Sequence, residues 1–244
     1  MAILQQAWPK AIARSKAAVV IGKLFLNFHG IGKPHSGVTE AEHSFWLTTD
    51  KFTQWIKISD SIARKFALAI VPTFDDGNIS DLEIAAPALA NYGIRGLFFP
   101  CVGRAGQKHY LDTSDLTSLA QMGHEIGSHG VNHVRWTSLD PKALDWEIRH
   151  SKERLENILN TRIEAAAIPF GAYNRHVLSA LQKAAFSRIY TSDPGITTGS
   201  SAILNRYSVR RDDAPEDLCQ IIERFRSNQF KLISSFKTKI KSLR

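Results

Sequence analysis

Cysteine is nearly absent from this 244-residue chain: only Cys101 and Cys219 occur, far apart and each in apolar surroundings. That scarcity excludes a disulfide-scaffolded fold. A single bridge between the two stays open, but two buried thiols in a reducing compartment is the favoured reading. Acidic residues are the scarcer charge, 23 Asp+Glu against 31 Lys+Arg, which leaves a formal net charge of +8. Long apolar runs are missing as well, and none approaches the roughly 18 uncharged residues of a membrane-crossing helix. The stretch Ala17–Ile21 is short, is closed by Lys23 and has no small-residue cleavage site after it. No export signal is therefore expected, and the cytoplasm is the default location. With 43% hydrophobic and 22% charged residues, what remains is the composition of a globular protein. It is long enough to bury a full core.

What is present is an alternation of strand-like and helix-like runs. Strands are predicted at 24–29, 66–74, 94–102, 124–128, 163–169, 188–192 and 203–209. Between them the stretch from Ser44 to Ser61 carries Phe52, Trp55, Ile56 and Ile62 at helical spacing, with Thr48 or Thr49 as the N-cap. Further helices are predicted at 79–91, 113–122, from Pro141 to about Asn160, 174–185 and 215–227. Six or seven such units, with no linker-like stretch between them, imply a single-domain α/β fold whose mostly parallel sheet closes into a barrel or near-barrel. The expected limits are an N-terminal extension at 1–23, the barrel at 24–227 and a basic tail or helix at 228–244.

The positive charge concentrates in that tail, where Lys231, Lys237, Lys239, Lys241 and Arg244 occur without an acid. Phe230, Ile233, Phe236 and Ile240 fall at spacings of three and four, on one helical face. The first reading is a terminal helix packed on the core with a solvated basic face. The second is peripheral contact with a membrane surface. Nucleic acid is not expected, for no helix-turn-helix, zinc-finger or aromatic RNA-binding signature is present.

In a barrel of parallel strands, chemistry gathers where strands end. The polar residues there are His29, Asp75, Asp76, Ser128, His129, the Pro169–Gly171 corner and Asp193. Adjacent acids before a glycine read either as a turn or as two carboxylates aimed into one pocket. His129 and His133 form His-x-x-x-His. On one turn of helix such a pair grips a metal ion, but alone the pattern is weak. Gly130 stands where the His-Glu-x-x-His metalloprotease pattern has Glu, so that class is disfavoured. The remaining histidines, His35, His43, His109, His124, His150 and His176, read as surface or loop groups. Trp46, Trp55 and Trp136 read as packing residues, with a sugar-stacking role for Trp136 as the alternative.

Taken together, Thr73–Gly77, then Gly127–His133, then Ile168–Gly171 are more specific than any one of them. In that order, each at a strand end, they resemble the three motifs of the polysaccharide deacetylase family (NodB-like, carbohydrate esterase family 4) over roughly residues 24–211. The resemblance implies a distorted (β/α)7 barrel, similar to a TIM barrel. It implies a metal-dependent hydrolase that removes acetyl from an N-acetylated sugar. Asp76, His129 and His133 would hold a divalent metal, zinc or else cobalt, nickel or manganese. Asp75 would be the general base, and the backbone N–H of Phe170 the oxyanion donor. Two positions depart from the family. The C-terminal Leu-x-His motif that supplies the acid reads Leu204-Asn205-Arg206, and Leu26–Gly30 resembles the branch that carries the acid near the start, which points to His29. The arginine that braces the base is replaced by Ala167, with Arg206 or Arg210 as substitutes from another strand. Asp193 is a candidate to orient His29. The implied substrate is an acetylated glycan precursor, phosphorylated or lipid-linked, of surface polysaccharide of the O-antigen or capsule type. The alternative is a catalytically impaired barrel that binds glycan.

Overall fold

Each apolar run becomes a short parallel strand. The structure, a computed structural model, describes residues 22–243, without the side chains of residues 237 and 242. The Ala17–Ile21 run and nearly all of the expected N-terminal extension lie outside the described residues. The strands are β1 (Gly22–Phe28), β2 (Leu68–Asp76), β3 (Leu97–Pro100), β4 (Glu125–Ile126), β5 (Ala165–Ala167), β6 (Arg188–Tyr190), β7 (Ile203–Leu204) and β8 (Arg206–Ser208). Every pairing among them is parallel. One sheet has the order β4-β3-β2-β1-β8 and the other β5-β6-β7. The two meet at two seams. Just past β4, Ser128 bridges Ala166 of β5 through 2.9 Å bonds from Ser128 N–H to Ala165 O and from Ala167 N–H to Ser128 O. At the other seam β7 and β8 are halves of one extended segment, parted at Asn205, the first pairing with β6 and the second with β1. Seven strand positions thus follow one another in cyclic order, the arrangement expected of a (β/α)7 barrel.

Strand alternation sorts the side chains into two cores. Leu24, Leu26 and Phe28 of β1, Phe74 of β2 and Phe98 of β3 face the helices and join the larger core. Phe28, Phe74 and Phe98 stack at 5.6 and 4.5 Å between centroids. The opposite parity carries Phe25, Leu97, Phe99, Ala165, Ala167, Tyr190 and Leu204, a smaller core between the strands. Asn27, Thr73 and Asp75 share the parity of Phe25, so the same alternation that buries Phe74 turns Asp75 inward.

The helices are α1 (Glu40–His43), α2 (Thr49–Phe66), α3 (Ala86–Ala90), α4 (Thr113–Gln121), α5 (Pro141–Leu159), α6 (Arg175–Lys183), α7 (Leu218–Arg226) and α8 (Asn228–Leu243). Thr48 caps α2 by accepting from Lys51 N–H, and Ala67 ends it with φ +49°. The helix expected at 79–91 is a wide turn over Asp81–Ala85 followed by α3. Pro87 explains the break, since it has no N–H to continue the regular ladder.

The tail differs from the expectation. In α8 it is Phe230 that packs inward, 4.8 Å from Phe225, and Lys241 that reaches the body. Its ammonium pairs with Asp193 and lies over the Tyr173 ring. Ile233, Phe236 and Ile240 are 48%, 65% and 36% exposed, so of the apolar stripe only Phe230 packs on the core. No described helix is long and apolar enough to cross a membrane.

Candidate active site

The ends of β1, β2, β3, β4 and β5 bring the site together. Asp75 closes the inward row of β2 and is 2% exposed. Asp76 would point away on an extended strand, but its φ of +78° turns it back toward the same space. Gly77 (φ +74°) follows, where a Cβ would stand 2.8 Å from the Pro100 side chain. Both carboxylates thus reach one pocket, as the sequence allows but does not require.

Asp75 is held by an arginine from the far end of the chain. Arg206, fully buried on β8, donates to Asp75 Oδ1 at 2.7 Å and to Oδ2 at 2.8 Å, a bidentate pair. Asn27 donates to Oδ2 at 2.9 Å. Arg206 also donates to Asn27 Oδ1 (2.9 Å) and Thr191 O (3.1 Å), and its guanidinium lies 5.5 Å from the Phe99 ring centre. Burial alone would raise the Asp75 pKa, but the charge of Arg206, with His129 and His29, holds it well below the usual carboxylate range. Of the two substitutes considered for the missing brace at Ala167, Arg206 is the one in place. Arg210 lies instead over the Phe45 ring.

Asp76 Oδ1 is buried and has no hydrogen-bond partner. Around it stand His133 Nε2 at 3.2 Å, Arg104 Nη1 at 3.6 Å and His129 Nε2 at 3.8 Å. His129 Nδ1 donates to Ala167 O at 2.9 Å. A carbonyl only accepts, so this bond leaves the Nε2 lone pair free toward Asp76. An orphaned carboxylate oxygen facing an imidazole lone pair fits a divalent cation. Among the described residues, three potential ligand atoms that lie within 4.8 Å of one another belong to Asp76, Cys101 and His129. His133 reaches Asp76 without joining that trio.

The segment from His129 to His133 is not helical, contrary to the simplest reading of its spacing. Gly130 has φ +80° and His133 φ +49°. The loop is pinned by Glu147 of α5, 3% exposed, whose carboxylate accepts from Val131 N–H (2.8 Å), Asn132 N–H (3.2 Å) and Asn132 Nδ2 (2.7 Å). Those bonds, and not a helical turn, bring the two imidazoles to 5.2 Å. Burial lowers the His133 pKa to about 4, against the pull of Asp76.

His29 directly follows β1 and lines the same pocket as Asp76, with Glu42, Trp46, Asn78, Arg104 and Tyr110. Its Nδ1 is buried without a partner. Burial lowers its pKa, while the charges of Asp76 and Asp75 pull it up. Asp193 does not orient it, for its carboxylate is taken by the Tyr173 hydroxyl (2.6 Å) and Lys241. Phe170, after β5, has φ +58°, and its half-exposed ring stacks on His133 at 4.4 Å. Trp136 is 1% exposed and packs in the larger core. His124, expected near the surface, is 5% exposed and accepts the Gly96 N–H through Nδ1.

Three neighbours were not read from the sequence as site residues. Arg104 donates to His133 Nδ1 at 3.3 Å, and Glu42 Oε1 lies 4.0 Å from the same nitrogen. Cys101, 1% exposed, follows β3. Only Cys101 had a legible signal, its place at the end of an apolar strand. Neither cysteine is in a disulfide, with Cys101 buried and Cys219 half-buried.

A sequence profile of polysaccharide deacetylases matches residues 67–189. YxkH of Bacillus subtilis (strain 168), named as a polysaccharide deacetylase, is 28% identical over 173 residues, 71% of this chain and 58% of that protein. The chain therefore spans little more than half of that relative. Among solved structures, the Streptococcus pyogenes deacetylase PplD in complex with acetate superposes with a TM-score of 0.70 at 22% identity, covering 83% of this chain and 98% of that one. IcaB from Ammonifex degensii superposes with a TM-score of 0.70 at 18% identity, covering 84% and 97%.

Proposed function

The chain belongs to the polysaccharide deacetylase family, and on that premise we propose that it is a metal-dependent hydrolase removing acetyl from an N-acetylated sugar of a surface polysaccharide. The observation that carries the reading is the orphaned Asp76 Oδ1, buried within 3.8 Å of the Nε2 atoms of His129 and His133. Asp76, His129 and His133 would hold the metal. When bound, such an ion supplies Lewis-acid chemistry, polarising a carbonyl and lowering the pKa of a water toward ~7.

The chain's own residues do the rest. Asp75, kept ionised by Arg206, accepts the proton of the attacking water. Arg206 and Asn27 fix both of its oxygens and so fix its orientation. The backbone N–H of Phe170 donates to the oxyanion that develops as water adds to the acetyl carbon. His29 delivers a proton to the sugar nitrogen as the C–N bond breaks, and acetate leaves. That role needs His29 charged at departure, which burial opposes and the nearby Asp76 and Asp75 favour. The net charge of +8 suits a phosphate-bearing glycan precursor as substrate. The impaired-barrel alternative rested on the missing motif arginine and the missing C-terminal histidine, and the contact of Arg206 with Asp75 speaks against the first of these.

The test is acetate release from a panel of acetylated sugars, nucleotide-linked ones included, with protein stripped of metal and then reloaded. The expected outcome is metal-dependent release that falls roughly 10²–10⁴-fold in Asp75→Asn. Release that survives metal removal, or an Asp75→Asn variant as active as the parent, overturns the reading.

A further inference from the structure

The metal reading above uses two histidines and one carboxylate, yet among the described residues a ligand atom of Cys101 also lies within 4.8 Å of ligand atoms of Asp76 and His129, all three residues being buried. We propose that the Cys101 sulfur is itself a ligand of the metal held by Asp76 and His129, so that this site is a sulfur-containing one. The inference rests on the proposed metal site and adds a donor to it.

Three observations carry it. Cys101 is fixed between the two ligand-bearing segments: its N–H donates to Asp76 O at 3.4 Å, and the next residue, Val102, donates to Gly130 O at 3.1 Å. Those bonds fix the Cys101 main chain between the segments that carry Asp76 and His129. Its S–H donates to the carbonyl of His129 at 3.5 Å, which orients the sulfur along that residue. Finally, Asp76, one of whose carboxylate oxygens lies within 4.8 Å of this sulfur, has a buried Oδ1 that lacks a hydrogen-bond partner. A carboxylate oxygen, an imidazole nitrogen and a thiol sulfur are all zinc donors, with Zn–S of about 2.3 Å and Zn–N of about 2.0–2.1 Å. From separations within 4.8 Å, the trio needs to close by an amount on the order of 1 Å to reach those lengths. The balance is simple: the S–H proton is released to solvent as the sulfur–metal bond forms. Asp76 and Cys101 together then neutralise a divalent charge in a buried site.

The chemical consequence is selectivity. Thiolate donors favour thiophilic ions, whereas an all-oxygen and imidazole site leaves manganese competitive. Replacing the sulfur should therefore erode the preference for zinc over manganese.

The experiment is X-ray absorption on the full chain loaded with one equivalent of zinc, in the parent, Cys101→Ser and Cys219→Ser proteins. The chain has only these two cysteines, so the pair of variants assigns any sulfur signal. Expected is a sulfur scatterer at about 2.3 Å in the parent and in Cys219→Ser, lost in Cys101→Ser. Circular dichroism and a Cys101→Ala variant check that the loss is not unfolding. Zinc bound with only nitrogen and oxygen neighbours in the parent overturns the inference while leaving the deacetylase site standing. Failure to bind zinc overturns both. A sulfur signal that survives Cys101→Ser and vanishes in Cys219→Ser overturns the inference as well.

Discussion

Asp75 shows how much one side chain depends on a residue 131 positions away. Its ion pair with Arg206 is fully buried, and such a pair is costly to break from one side because the remaining charge is left without compensation. Arg206→Met should destabilise the fold by about 3–5 kcal/mol, read as a lower urea midpoint. In Arg206→Lys the charge is kept but the bidentate fork is lost, so stability should recover in part while acetate release stays low. His124 gives a residue-scale prediction in pH. Its Nδ1 accepts the Gly96 N–H, so protonation there would break that bond, and burial holds its pKa down at about 4. Between that value and the ordinary 6.5 the unfolded chain binds more protons than the folded one, so stability rises with pH across this window. It should be complete above about pH 6.5 and fall as the pH drops through about 4. Urea titrations at stepped pH, beside a His124→Asn variant with a flatter profile, would show it. A parent profile as flat as that of the variant would refute the assignment.

At the scale of elements, the loop between β4 and α5 is built by helix α5 and not by its own conformational preferences. Glu147 receives three N–H groups from Val131 and Asn132, and so sets where His133 stands. Glu147→Gln keeps the shape but can no longer accept at both oxygens. We expect zinc affinity to drop about 10–100-fold, the usual cost of losing a group that orients ligands, with the fold retained by circular dichroism. An unchanged affinity in a competitive chelator titration would show that the loop holds itself. The C-terminal helix illustrates a different limit. Its apolar spacing was legible, but not which way the stripe faces, because Phe230 and Lys241 anchor α8 through Phe225, Tyr173 and Asp193. A helical pattern shows that a face exists without saying what it meets.

For the whole molecule, the seams decide whether seven short strands act as one body. Gly127 lies beside the Ser128–Ala166 seam, where a Cβ would come within 2.4 Å of the Phe99 ring and 2.8 Å of Ala165 O. Gly127→Ala should therefore push β4 from β5. Overpacking of this kind costs about 1–3 kcal/mol, or roughly 2–12 °C in Tm for a chain of this size. A thermal melt within one degree of the parent would show that the seam gives way freely. On the partner side, Arg206 spans the opposite seam, since it sits where β8 takes over from β7 and reaches β1 and β2 through Asn27, Thr73 and Asp75. One buried guanidinium thus links β8 to β1 and β2 and orients Asp75.

The sequence by itself determined the alternation of strands and helices, hence the α/β class, because apolar periodicity is a local property of the chain. It also determined which strand ends carry Asp75, Asp76, His129 and His133, since their motifs lie within a few residues of apolar runs. Strand ends were overestimated at 94–102 and 163–169, where only Leu97–Pro100 and Ala165–Ala167 pair, because an apolar run does not reveal where its neighbours stop. Only the tertiary structure decided that Arg206 and not Arg210 braces Asp75, that Asp193 faces Lys241 and Tyr173, and that Cys101 stands among the ligand candidates. Each of these is a contact between residues tens to more than a hundred positions apart, set by strand register and by which parity of a strand faces inward. No spacing rule along the chain encodes such a contact until the strands have come together around it.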